Sequence, residues 1–171
     1  LIRVAEARGL VLHTGHQERF VMRHLGLFDG NVKPLKIESH RAAPFSPRNT
    51  DVSVVLDLMI HDIDLAHQLD AAPVADVQAI ERIRHARSDE VSALVTLDDG
   101  MQIDLFASRM ADARKRFMRV TYPDGEIFID FLTREMTNTT PRKIKALGSN
   151  GGDADGLPCP STDPLGHGVA R

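Results

Sequence analysis

The chain of 171 residues is 42% apolar and 26% charged, with both signs present and a net charge of -3. That balance suits one globular domain with a real core and makes a nucleic-acid or membrane-surface partner unexpected. A single cysteine, Cys159, excludes an intrachain disulfide and a cysteine-based zinc site, and no apolar stretch approaches the roughly 20 residues that span a bilayer, so a soluble cytoplasmic protein is the expectation.

The chain opens with Leu1 rather than Met. Residues 1–8 read as an amphipathic helix stopped at Gly9, and Leu10-Val11-Leu12 reads as a buried strand ending in a polar loop. A helix followed by a buried strand closes a parallel α/β sheet, yet no earlier strand precedes it, so the sequence reads as cut. Residues 21–30 are expected to be turn-like around Phe28-Asp29-Gly30, and residues 36–40 alternate as a strand does. Pro34, Pro44 and Pro47 break the approach to a helix expected over residues 53–69, with Asp51 or Ser53 as its cap.

From Val74 onward the pattern is a run of strands, over residues 74–84, 91–97, 101–107, 117–121, 126–131 and 134–139. Asp98-Asp99-Gly100 and Pro123-Asp124-Gly125 are hairpin turns, each closed by a glycine that supplies positive φ. One face of this sheet alternates polar, so the other is expected to pack on the helix. Past Pro141 the composition is that of a flexible loop over residues 148–156, and the chain ends without a helix. The fold class is thus α/β (α+β): an open, mainly antiparallel sheet packed on helices.

The segment VVLDLMIHDIDL, residues 54–65, carries the chemistry. Asp57 and His61 stand four apart in an apolar run, so on a helix they share a face. A carboxylate beside an imidazole in such surroundings makes a general base that its neighbour can tune. Spacing alone favours a pair that simply satisfies itself within the helix. Asp62 and Asp64 read as helix-face or capping charges, and a metal site made from His61, Asp62 and Asp64 is disfavoured because adjacent helical residues point different ways.

The combination of Gly15-His16-Gln17-Glu18-Arg19-Phe20, Pro44-Phe45-Ser46-Pro47-Arg48 and Asp51 through Asp57 with His61-Asp62-Ile63-Asp64 resembles the Gfo/Idh/MocA oxidoreductases. Its wording is most similar to UDP-N-acetylglucosamine 3-dehydrogenase-type members, which act on nucleotide sugars. The resemblance implies an N-terminal Rossmann domain that holds NAD or NADP, followed by a substrate domain whose sheet face builds a homo-oligomer. On that pattern residues 1–20 are the remnant of the Rossmann domain and residues 21–171 the substrate and oligomerisation domain, with its C-terminal helix missing. The glycine-rich phosphate loop and the Glu-Lys-Pro lysine are expected upstream of Leu1. The glycines present never fall into GxGxxG, so no cofactor-binding residue is assigned and the chain alone is not expected to bind the dinucleotide well or to turn over.

The same resemblance makes His61 the acid/base that takes a sugar hydroxyl proton, with Asp57 orienting or tuning it. His16 and Arg19 follow an expected strand end, where α/β ligands bind, so contact with substrate or cofactor is expected there, against a salt-linked loop involving Glu18. Arg48, before the motif helix, is a candidate for the diphosphate of a nucleotide sugar, because guanidinium grips phosphate in a fork. The Arg114-Lys115-Arg116 cluster with Arg119 also admits a phosphate role, although guarding a strand edge is the simpler account. The alternative to a dehydrogenase part is a binding or oligomerisation module that keeps the sheet without redox chemistry.

Overall fold

The computed structural model describes residues 1–28, 32–48, 51–85 and 87–145. The glycine-rich stretch at 148–156, Cys159, the phrase at 161–165 and the Asp29-Gly30 turn lie outside them.

Seven strands form one sheet in the order β2-β3-β4-β1-β5-β6-β7. They are β1 (Lys36–Ala42), β2 (Val74–Ile83), β3 (Ser88–Leu97), β4 (Gln102–Ser108), β5 (Lys115–Tyr122), β6 (Gly125–Asp130) and β7 (Met136–Asn138). Every pairing is antiparallel except β1 with β4. Parallel neighbours need a long crossover. Between β1 and β4 the chain runs through a π-helical turn at Val55–Met59, the helix α3 (Ile60–Leu69), the edge strand β2 and the strand β3. Two helices precede the sheet: α1 (Ile2–Ala7) and α2 (Glu18–Leu25).

The core lies between the helices and one face of the sheet. Met22 and Leu25 of α2, Val54 just before the π-helical turn, Met59 at its end, and Leu65 and Ala66 of α3 are buried against Ile37, Leu105, Met118, Val120, Ile127 and Ile129. The alternation in β1, β4, β5 and β6, broken only where β1 and β4 end on two buried residues, produces this, since every second side chain faces the helices. The hairpin turns form as expected, with Gly100 at φ 90° and Gly125 at φ 144°.

Two expectations are corrected. Leu10, Val11 and Leu12 form no strand and are exposed, because among the described residues no neighbouring strand accepts their backbone groups. The stretch expected to be turn-like holds α2 instead, which runs across residue 20. Its signals are ordinary ones: Glu18 in the first turn, Arg23 and His24 in the last, and Gly26 at φ 77° directly after. The Leu27 N–H reaches back to the Met22 carbonyl at 3.1 Å, which closes the helix.

The edge strand β2 is exposed along its whole length, Val77 and Ile80 included. Beside it an apolar hollow of about 410 Å³ opens between α3 and strands β2 to β4, lined by Met59, Ile63, Ala66, Val77, Val91, Val95 and Leu105 among others. None of the residues expected to do chemistry lines it.

Candidate active site

The inward alternation of β1 carries Ile37, Ser39 and Arg41 toward the helices. Arg41 is only 3% exposed, and α3 presents the equally buried Asp62 to it. The guanidinium grips that carboxylate in a fork, Nε to Oδ2 at 2.9 Å and Nη2 to Oδ1 at 2.8 Å. Its Nη1 donates to Glu18 Oε1 on α2 at 3.0 Å. A buried cation is tolerated only when paired and hydrogen-bonded in this way. Asp62 is therefore neither a helix-face nor a capping charge, as its place in the sequence suggested; it ties α3 to β1.

Glu18 is the hub of the cluster. Burial pushes its carboxyl up, but the charge of Arg41, helped by hydrogen bonds, outweighs this and holds it below the ordinary value. Its second oxygen, Oε2, lies 3.5 Å from His61 Nδ1. That nitrogen is buried and makes no hydrogen bond in the structure, so the contact is electrostatic proximity rather than a formed bond. Arg116 Nη1 of β5 lies 3.8 Å from Glu18 Oε1. The His16 ring meets the His61 ring edge-on, centroids 5.5 Å apart. Arg19 grips Asp64 with Nε to Oδ2 at 2.5 Å and a second, Nη2-to-Oδ1 contact, and this hydrogen bond, the largest influence, holds the Asp64 carboxyl low.

The structure thus gathers His16, Arg19 and His61 in one place, with Asp62, Asp64 and Arg116 beside them, and adds Glu18 and Arg41, which were given no site role of their own. The salt-linked arrangement considered for His16, Arg19 and Glu18 is present in part, since Glu18 and Arg19 do form ion pairs, though with Arg41 and Asp64. Arg41 was findable: it is a charged residue at an inward position of an alternating strand, which demands a buried partner.

Asp57 lies half-buried in the π-helical turn, with its N–H donating to the Ser53 carbonyl at 3.1 Å. Ser53 Oγ accepts from the Leu56 N–H at 3.4 Å, so Ser53 is the cap at this helical entry. The expected continuous α-helix is interrupted here: i→i+5 bonding widens the turn, so the four-residue spacing of Asp57 and His61 is less than one full turn of it. Such widened turns recur at functional sites. Arg48 is exposed, its backbone N–H donating to Ser46 Oγ at 3.4 Å, and among the described residues no contact joins its side chain to the His61 cluster.

The arrangement can hold and move a proton. The His61 side chain is 30% exposed, with Nδ1 turned toward Glu18, so Nε2 is the nitrogen open to a ligand. Among the described residues no three His, Cys, Asp or Glu side chains are arranged to hold a metal ion, and no helix is long and apolar enough to cross a membrane.

Residues 30–128 match the family model of the GFO/IDH/MocA C-terminal domain. The chain belongs to the Gfo/Idh/MocA family. It is 36% identical over 142 residues to the UDP-N-acetylglucosamine 3-dehydrogenase of Acidithiobacillus ferrooxidans, a match covering 80% of this chain and 44% of that protein. A crystal structure of the same enzyme superposes with a TM-score of 0.71, covering 79% of this chain and 45% of the other. Solved structures that share the fold at lower identity include a Bordetella pertussis dehydrogenase in complex with NADH and UDP-GlcNAcA, at 12% identity and TM-score 0.66 over 81% of this chain and 46% of that one. Another is scyllo-inositol dehydrogenase from Lactobacillus casei with bound NAD(H) and scyllo-inositol, at 21% identity and TM-score 0.59 over 74% and 44%. The chain spans less than half the length of the curated relative it matches. The seven-stranded, mostly antiparallel sheet is the architecture of this family's C-terminal domain.

Proposed function

We propose that this chain is the substrate-binding part of a nicotinamide-dependent cytoplasmic oxidoreductase that oxidises one hydroxyl of a nucleotide sugar, UDP-N-acetylglucosamine being the first candidate. The observation that carries this reading is His61 held against Glu18 inside a charge network, half open at a cluster built from three separate elements. Its Nε2 takes the hydroxyl proton, Asp57 orients or tunes the ring from the preceding turn, and His16 and Arg19 border the sugar. Similarity of 36% to a UDP-N-acetylglucosamine 3-dehydrogenase supports the substrate class.

The sequence carries no glycine-rich phosphate loop for a dinucleotide. Its glycines never fall into GxGxxG. We assign residues 1–20 to the end of a dinucleotide-binding domain that holds NAD or NADP, which accepts hydride when bound. On this reading the short chain is inactive by itself.

The outer face of the sheet supports a homo-oligomer. His40 stacks between Phe106 and Phe117, with centroids at 4.4 Å and 5.3 Å, and Phe117 continues to Phe128 at 5.5 Å. This aromatic ribbon crosses four adjacent strands on the side away from the helices, and half-buried aromatics of this kind anchor interfaces.

The test is cofactor reduction with UDP-N-acetylglucosamine, by this chain and by the protein carrying its dinucleotide domain. Turnover by the longer protein alone, abolished in His61→Ala, is the expected result. Turnover that survives His61→Ala overturns the acid/base assignment, and turnover by the short chain overturns the account of the cofactor.

A further inference from the structure

We propose that the hollow at the start of β5 is an anion subsite that takes the diphosphate of the nucleotide-sugar substrate. The inference deepens the function proposed above and rests on it for the identity of the diphosphate, though not for the existence of the site. The hollow, of about 320 Å³, is walled by Arg41, Arg114, Lys115 and Arg116, with Leu58 and Leu132 as apolar sides. That is the size of a small-ligand pocket.

The arginine cluster does not guard a strand edge. β5 is an interior strand, flanked by β1 and β6, and the sheet's edges are β2 and β7. Its cations therefore need another reason to stand together. The register sharpens the point: Arg116 is the direct cross-strand partner of Arg41. Like charges placed directly opposite destabilise a sheet.

The acids present do not balance them. Arg41 is neutralised by Asp62 and Glu18. Arg116 has only a share, at 3.8 Å, of the same Glu18 oxygen, Oε1, that Arg41 already engages. Arg114 and Lys115 have no carboxylate partner among the described residues. Burial first, and then the neighbouring Arg41, make it harder for Arg116 to hold its proton. A doubly charged group of two linked phosphates supplies the missing charge, and guanidinium forks match its oxygens.

The place is also right. Leu58, on the wall, sits three residues before His61, and Glu18 links Arg116 to the His61 ring. A diphosphate held here leaves the attached sugar beside the acid/base. Arg48, expected from the sequence to meet this group, has no contact with the cluster among the described residues.

The experiment is calorimetric titration of this chain with UDP, inorganic pyrophosphate and NAD, repeated on Arg114→Gln/Lys115→Gln and on Arg116→Lys. Arg114 and Lys115 are exposed, so the double variant keeps its fold; circular dichroism checks this. UDP and pyrophosphate should bind the unaltered chain, weaken by about tenfold or more in the double variant, and weaken with added salt. Arg116→Lys, which keeps the charge and loses the fork, should weaken both ligands as well. Binding of neither ligand, or binding that the double variant leaves unchanged, overturns the proposal. NAD binding at this hollow more tightly than UDP overturns the assignment to the substrate. Because the readout is binding alone, it stands apart from the catalytic reading: phosphate binding here in a protein that oxidises only unphosphorylated sugars sinks the nucleotide-sugar function and keeps the anion site.

Discussion

Glu18 Oε2 lies 3.5 Å from His61 Nδ1 while its other oxygen accepts a hydrogen bond from Arg41 at 3.0 Å. One carboxylate thereby joins the buried ion pair that fastens β1 to α3 and the imidazole proposed to do the chemistry. A carboxylate at that nitrogen favours the tautomer with the proton on Nδ1 and leaves Nε2 free to accept another. Glu18→Gln should therefore lower kcat of the protein carrying its dinucleotide domain by about tenfold or more, with little change in KM. Nitrogen chemical shifts of His61 should show a loss of tautomer preference in the same variant. An unchanged kcat with unchanged shifts would reduce Glu18 to a structural role.

The fork between Arg41 and Asp62 is buried on both sides, at 3% side-chain exposure each. Removing one partner leaves an uncompensated charge, which costs roughly 3–5 kcal/mol, whereas replacing both by apolar groups of similar size is often neutral. Arg41→Met should accordingly lower the urea midpoint strongly, and Arg41→Met/Asp62→Leu should recover most of that loss. Additive losses in the double variant would show that the pair is not coupled.

Much of the fold is written as a period-two pattern. Strands β2 to β7 and both hairpin turns follow from alternation and from glycines at Gly100 and Gly125, because those signals are local. What the sequence hid is of two kinds. Leu10-Val11-Leu12 has the composition of a strand, but a strand exists only with a neighbour, and that is not a local property. The partners of Arg41 come from elements 21 and 23 residues away in sequence, so the charge network around His61 emerges only when β1, α2 and α3 are brought together. His61 itself was legible through the family phrase, whereas Glu18 was read as part of a motif and not as the residue facing it.

Acid should loosen the fold in a defined direction. The folded Glu18 and Asp89 carboxyls both sit below their ordinary values, 4.5 and 3.8. For Asp89, burial pushes upward, and the backbone N–H groups of Arg84 and His85, each donating at 2.8 Å, pull it down further than burial raises it. A carboxyl with a depressed folded value contributes stability that is fully present above the unfolded value and is lost as pH falls through the folded one. Stability from these two groups should hold from neutral pH down to about 5 and decline below it. Glu18→Gln should flatten the upper part of that decline and Asp89→Asn the lower part, both read from urea midpoints across pH. A decline that begins near neutrality and ignores both variants would contradict the assignment.

Oligomerisation should depend on the aromatic ribbon. Burial first, and then Lys115, hold His40 below the usual imidazole value, so at neutral pH an uncharged ring stacks between Phe106 and Phe117. Phe117→Glu places a charge in the middle of that ribbon without touching the core on the other face, where Met118 and Val120 point. Sedimentation velocity should show an assembly for the unaltered protein and monomer for the variant. A monomer in both would remove the sheet face as an interface.

The two hairpin glycines should differ in what they tolerate. Both hold positive φ, 90° at Gly100 and 144° at Gly125, where any L side chain is strained by about 1–3 kcal/mol. A Cβ at Gly100 would meet nothing within 4 Å, so Gly100→Ala should cost only that strain, about 1 kcal/mol. A Cβ at Gly125 would lie 2.8 Å from the Thr139 carbonyl oxygen and 2.9 Å from its Oγ1. Thr139, just beyond β7, is tied to the start of β6: its N–H donates to the Glu126 carbonyl, and its Oγ1 accepts from the Glu126 N–H, both at 2.9 Å. Backbone must move to admit the methyl group, and these bonds weaken as it does. Gly125→Ala should therefore lower the melting temperature by clearly more than Gly100→Ala, with amide exchange at Glu126 and Thr139 accelerated in the first variant alone. Equal losses at the two sites would mean that β7 yields freely, and that the last strand adds little to the sheet.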